Sequence, residues 1–313
     1  MYHRFSEFPK PGFVSKAQLR WQLGYIRRHF NPMTLEDLSR AVHERGNVPR
    51  NAIAVTIDDG YRDFYEVAWP VFREMGVPAT LFVTTGFVNG DLWLWPDQVA
   101  WILANATVIP QKIACGSTTL EAGQLDDASR DRTWKHLIDS LLKESDEEKH
   151  ILIQSLADQI GVELPHGAPE PFAAVTWEQL HEMQESGLEV GGHTVTHPSL
   201  GRVSEEQARC EIEGCREALM AHLKRAPYSF CYPNGQPADY SIELGDIVQA
   251  AGFSNAVVAF PDRHGISRRF EMRRHSAKDK PFQFLKAVNG VESIAHRLGA
   301  LSRTVSGGSA DGR

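Results

Sequence analysis

The chain has 313 residues, 42% of them hydrophobic and 23% charged, with a net charge of −7. These proportions match a folded globular protein and exclude a mostly disordered, fibrous or low-complexity chain, and the acidic balance gives no footing for nucleic-acid binding. No apolar run approaches the roughly 18 residues needed to span a bilayer. The opening Met1-Tyr-His-Arg-Phe lacks the charged-then-apolar pattern of a signal peptide. The sequence as given therefore predicts a soluble, cytoplasmic protein, although a start set later than the true one would hide such a peptide. Cys115, Cys210, Cys215 and Cys231 form no C-x-x-C pair and read as reduced thiols.

Helix-like and strand-like stretches alternate along the chain. Leu19, Leu23, Ile26 and Phe30 fall at helical spacing and predict a helix over 17–30. Thr34 followed by Asp37 resembles a capping box and opens a second helix carrying Leu35, Leu38 and Val42. The β-branched apolar run 52–57 predicts a buried strand. A helix over about 63–75 stops at Gly76, and 79–84 is the next strand. From about Asp91 to Phe172 no clear strand is visible. Trp93, Trp95 and Trp101 open this segment, helical stretches follow near 131–143 and 147–160, and it reads as a helical insertion. The tryptophans are expected to bury the insertion against the rest of the fold, with stacking on sugar rings the other possibility. Within the insertion the charge run Glu144–Lys149 predicts a solvated helix face. Then come a helix over 176–186, a strand over 188–192, a helix from Ser204, a strand over 228–232, a helix near 240–251 and a strand over 253–259. The alternation argues for parallel strands with crossover helices, a doubly wound sheet or a barrel. Residues 1–300 form one unit with its insertion at about 91–172, and the Ser/Gly/Asp-rich tail, 301–313, is expected to be disordered.

Two motifs carry chemistry. Thr56-Ile57-Asp58-Asp59-Gly60 closes a buried strand at the edge where parallel α/β folds place their active sites. Asp-Gly is also a common turn pair, but two adjacent carboxylates there repel each other unless a cation or a shared proton intervenes. Gly191-Gly192-His193-Thr194-Val195-Thr196-His197 follows another strand. Its two histidines are either buried, hydrogen-bonded residues or ligands of one metal ion. Together, a carboxylate and two histidines make an open three-ligand site suited to Zn²⁺ or a similar ion, with a place left for water. The second carboxylate then suits a general base.

These motifs, with Phe230-Cys-Tyr-Pro-Asn-Gly235 in third place, resemble the successive motifs of the polysaccharide deacetylases, which carry the NodB homology domain and form carbohydrate esterase family 4. Supporting text surrounds them: Gly60-Tyr-Arg-Asp, Gly76-Val-Pro-Ala-Thr-Leu-Phe-Val and Ser199-Leu. The resemblance implies an α/β fold, a distorted (β/α)₇ barrel, and a metal-dependent removal of acetyl groups from an N-acetylated, or O-acetylated, carbohydrate. It implies that Asp58 is the general base and that Asp59, His193 and His197 bind the metal, zinc or else cobalt or another divalent ion. Tyr232 would lie where the family offers a backbone N–H to the oxyanion, and Asn234 stands where a tyrosine is frequent, both on the substrate side. Many members orient the base with a third-motif arginine. Cys231 occupies that place here, and Arg273 or Arg274 is the substitute. The general acid is a histidine. Tyr2-His3 looks like the Tyr-His motif of the branch that includes biofilm poly-N-acetylglucosamine deacetylases, which favours His3, with His275 second. Three other readings use the same residues: a hydrolase of small amides on this fold, a non-catalytic carbohydrate-binding relative that keeps the metal, and a non-haem iron oxygenase, which the missing H-x-D pairing disfavours.

Overall fold

The computed structural model describes residues 1–290 other than 109, 117, 122–125, 263 and 279, so the expected disordered tail lies outside the described residues. Six strands form the central sheet: β1 (Thr56–Ile57), β2 (Thr80–Val83), β3 (Glu189–Gly192), β4 (Ser229–Cys231), β5 (Asn255–Val258) and β6 (Met272–Arg273). They pair in chain order and every pair is parallel. Tyr2 adds a parallel bridge to Ile57 outside β1. On its other side the Met1 nitrogen donates to the His275 carbonyl at 2.7 Å, and the Ala277 N–H donates to the Met1 carbonyl at 2.8 Å. The Met1–Tyr2 backbone therefore lies between β1 and the segment after β6 and serves as the seventh member of the distorted barrel.

The helices wrap the sheet because each turns an apolar stripe inward. The first, Lys16–His29, is capped by Ser15 and buries Leu19, Leu23 and Ile26. Thr34 caps Leu35–Arg40, as its spacing with Asp37 predicts. Thr176 and Gln179 complete a capping box on Trp177–Glu185. One expected strand divides. Ala52–Ala54 pairs in parallel with Asn31–Met33 in a small separate sheet, and only Thr56–Ile57 enters the barrel.

Side chains fill the barrel in three tiers, each reached by a step of two along the strands. At the strands' N-terminal ends stand Thr80, Glu189, Ser229 and Asn255, all buried. Above them Phe82, Cys231, Val257 and Met272 form one apolar cluster with Leu35. The facing position on β3 is Gly191, where a Cβ would lie 2.6 Å from the Phe82 ring and 2.6 Å from the Ser229 carbonyl oxygen, so no side chain fits. The third tier is polar and holds Asp58, His193 and Arg274.

The insertion between β2 and β3 has its own core. The helices Trp95–Asn105, Asp127–Leu141 and Asp146–Ile160 pack Val99, Ile102, Leu137, Leu141, Ile153 and Leu156 together. It is not purely helical: Lys112–Cys115 and Thr118–Glu121 form an antiparallel hairpin that the sequence reading missed. Four-residue strands with alternating polarity are too short to stand out from a mixed background. Trp93 and Trp95 are buried. So is Lys149, which departs from the solvated face expected for its run. Its side chain is 2% exposed, with the ammonium 5.0 Å from the Trp95 ring centroid and 3.3 Å from Asp146 Oδ1.

Candidate active site

The third tier opens at the strands' C-terminal ends, and two loops complete it. Asp59 follows β1 with φ +80°, a left-handed conformation. The loop after β3 contains two more such residues, Thr194 at +68° and His197 at +66°. Non-glycine residues hold this conformation only where surrounding bonds impose it. Here the Glu211 carboxylate accepts from the Val195 and Thr196 N–H groups, each at 2.8 Å, and from the Thr196 hydroxyl at 2.6 Å. The Thr194 hydroxyl oxygen accepts from the His197 N–H at 3.0 Å. Sequence reasoning missed Glu211, because nothing in its helical pattern separates it from an exposed glutamate.

Both histidines face Asp59. His193 Nε2 lies 3.4 Å and His197 Nε2 3.5 Å from Asp59 Oδ1, and one ligand atom from each of the three residues falls within 4.8 Å of the others. The His193 Nδ1–H donates to the Cys231 carbonyl at 2.7 Å. That bond fixes the tautomer and leaves Nε2 as a lone-pair donor facing a carboxylate oxygen, an arrangement that suits a shared cation. His197 Nδ1 is buried with no partner among the described residues. The donor set, two imidazoles and one carboxylate, thus fits a divalent metal ion. A second cluster, Asp58, His193 and Cys231, also converges, but its carboxylate is already engaged.

Asp58 is held by Arg274. The guanidinium donates to Asp58 Oδ1 at 2.6 Å and Oδ2 at 2.8 Å, and also to the Thr56 hydroxyl oxygen at 3.0 Å. Burial pushes the Asp58 carboxyl up, but the charge and hydrogen bonds of Arg274 outweigh it and bring its pKa to about 2. Of the two arginines considered as substitutes, β6 geometry selects Arg274. Arg273 points outward to Asp262 at 3.0 Å and the Tyr240 hydroxyl at 2.8 Å. His275 follows the same alternation and lines an apolar cavity with Phe30, Ile53 and Phe284, bordered by none of Asp58, Asp59, His193 and His197. His3 stands at the mouth, 45% exposed, with Nε2 3.8 Å from Asp58 Oδ2.

Tyr232 departs from expectation. Since Cys231 points inward, Tyr232 points outward, packing on Phe230 and Tyr240 with its hydroxyl donating to the Phe270 carbonyl. Its N–H donates to the Val257 carbonyl at 3.3 Å within the sheet, so it is not free for an oxyanion. Asn234, at φ +57°, sits two residues further on with a buried Nδ2 that has no partner among the described residues.

A second polar cluster adjoins the site. The Tyr61 hydroxyl donates to Asp97 Oδ2 at 2.6 Å, and Arg4 lies between Asp63 at 2.7 Å and Asp97 at 3.6 Å. Burial raises the two carboxyls, Asp63 to about 6 and Asp97 to about 7, against the pull of Arg4.

Comparison with known proteins agrees with the fold. The chain resembles in fold the Streptococcus pyogenes deacetylase PplD in complex with acetate (17% identity, 92% of this chain and 96% of that one, TM-score 0.57). It also resembles a de-N-acetylase from Aggregatibacter actinomycetemcomitans (14%, 92% and 97%, TM-score 0.57) and IcaB from Ammonifex degensii (19%, 92% and 93%, TM-score 0.53). The poly-β-1,6-N-acetyl-D-glucosamine N-deacetylase of Staphylococcus aureus is 28% identical over 79 residues, 25% of this chain and 27% of that one. The match therefore spans about a quarter of the length of these curated relatives. Among the described residues no helix is long and apolar enough to cross a membrane. The polysaccharide deacetylase family model matches residues 45–112 and 122–256, which include the Asp58-Asp59 loop, the His193…His197 loop and the third motif, and the chain belongs to that family.

Proposed function

We propose that the chain removes acetyl groups from an N-acetylated carbohydrate polymer, of the poly-N-acetylglucosamine class, with a divalent metal ion, zinc before cobalt. The observation that carries this reading is the convergence of Asp59, His193 and His197 beside a second carboxylate, Asp58, that is separately fixed by Arg274. Asp59, His193 and His197 would hold the metal. Bound there, a divalent ion supplies a Lewis acid that lowers the pKa of water and polarises an acyl carbonyl, which suits a base as weak as Asp58. Asp58 takes the proton of the attacking water. It is ionised at neutral pH, and its bidentate pairing holds one orientation. His3 delivers a proton to the amine nitrogen as its bond to the acyl carbon breaks, so acetate and a free amine leave. Asn234, on the loop after β4, would lie on the substrate side. Tyr232 takes no part.

The test is acetate release from N-acetylglucosamine oligomers, β-1,6- and β-1,4-linked, by chelated and by Zn²⁺- or Co²⁺-restored protein. The restored protein should be active and the chelated protein not. Asp58→Asn should lose about 10³-fold in rate while retaining its metal. Equal activity with and without metal, or an Asp58→Asn variant near wild type, overturns the reading.

A further inference from the structure

His3 presents a positional problem. Its imidazole is 45% exposed and makes no hydrogen bond among the described residues; its nearest charged partner is Asp58 Oδ2 at 3.8 Å. An exposed ring with so little holding it takes its direction from its backbone. On one side that backbone is fixed by Tyr2, whose N–H and carbonyl pair with Thr56 and Asp58 at 2.9 and 3.0 Å and whose hydroxyl donates to Gln22. On the other side stands Arg4.

Arg4 is gripped from several directions. Its Nε donates to Asp63 Oδ2 at 2.7 Å, and the other oxygen of that carboxylate accepts from the Phe5 N–H at 3.2 Å. Its guanidinium carbon lies 3.9 Å from the Tyr61 ring centroid and 4.6 Å from that of Phe13. Nη1 faces Asp97 at 3.6 Å, and Nη2 donates to the Pro171 carbonyl. Tyr61 and Asp63 belong to the loop that carries Asp58 and Asp59. Asp97 and Pro171 belong to the two ends of the insertion. One guanidinium thus ties the His3 segment, the aspartate loop and the insertion together, using a planar fork and a stacked face that lysine cannot reproduce.

We infer that Arg4 is a positioning residue that holds His3 over Asp58, and that the insertion takes part in the hold through Asp97 and Pro171. The inference rests on the reading of His3 as proton donor. It gives the insertion a function separate from metal binding: it braces the proton-donating side of the site.

The test compares two leaving groups. An N-acetylglucosamine oligomer expels an amine, which needs a proton as the C–N bond breaks. 4-Nitrophenyl acetate expels a phenolate, which does not. For Arg4→Met, kcat on the oligomer should fall about tenfold or more, with KM, metal content and aryl-ester turnover within about twofold of wild type. Arg4→Lys, which keeps the charge, should fold normally and show a smaller loss of the same kind. Added to His3→Ala, Arg4→Met should cost little more, since both act through one group. Equal losses on the two substrates, or full additivity with His3→Ala, overturn the inference. Intact oligomer cleavage by His3→Ala overturns the underlying reading of His3, and the positioning role with it.

Discussion

The two polar tiers of the barrel are equally buried and handle charge in opposite ways. At the N-terminal end, Glu189 receives three donors: the Ser229 hydroxyl at 2.8 Å, the Thr80 hydroxyl at 2.9 Å and the Glu36 N–H at 3.0 Å. Among the described residues no cation faces it, and burial raises its carboxyl pKa. Asn255 Nδ2 extends the chain to Ser229. At the C-terminal end Asp58 is driven down to about 2 by Arg274, and Asp59 is held well below the usual carboxylate range: burial pushes it up, but the two histidines pull it down further. A buried carboxylate whose charge the fold relaxes joins elements together. One whose charge the fold preserves is available for a cation or a proton.

Breaking the upper tier should have the largest effect. Arg274→Met leaves Asp58 buried without its counter-charge, and the expected loss is about 3–5 kcal/mol of stability by denaturant titration. The same change should raise the Asp58 pKa. In the wild type that carboxylate's stabilisation is present above its unfolded value near 3.8 and fades as pH falls toward 2. In the variant the acid limb of activity should move toward neutral pH. An unmoved limb would separate Asp58 from the rate.

Glu211→Gln should act next. The amide keeps one acceptor oxygen but turns an N–H₂ toward backbone donors, loosening the loop that aims His193 and His197. Metal affinity measured against a chelator should fall about tenfold, with a smaller change in overall stability. Unchanged affinity would mean that the loop holds its shape without Glu211.

Glu189→Gln is the mildest change and tests the lower tier. Its folded pKa is raised, so wild-type stability from this group is complete below the unfolded value of 4.5 and declines as pH rises through the folded value. The variant should lie within about 1 kcal/mol of wild type, and its melting temperature relative to wild type should be more favourable at pH 8 than at pH 5. A flat difference would show that the Glu189 pKa does not rise on folding.

Much of this was legible in sequence because strand and helix periods are local. The β1, β2 and β3 runs, the cap at Thr34, and the Asp58-Asp59 and His193…His197 loops are all written within a few residues. What escaped depends on partners far along the chain. Glu211 is an ordinary helical glutamate until Val195 and Thr196 meet it. Arg274 and Arg273 differ only in which side of β6 they face. The Tyr232 N–H is spent on Val257, a partner on the neighbouring strand that no local pattern reveals. Lys149 reads as one member of a surface charge run until Trp95 covers it.

The bond between Met1 and His275 spans 274 residues, and it belongs to the same short segment that presents His3. Contacts so distant in sequence carry the largest loop-closure entropy and form late in folding. Met1 closes its side of the barrel only once the segment after β6 is in place. Until β6 is in place the barrel stays open on that side and Asp58 lacks Arg274, although Tyr2 can already pair with Thr56 and Asp58. During synthesis, Asp59, His193 and His197 can gather well before Arg274 emerges, so a partly made chain would assemble the residues proposed to hold the ion before its base is fixed.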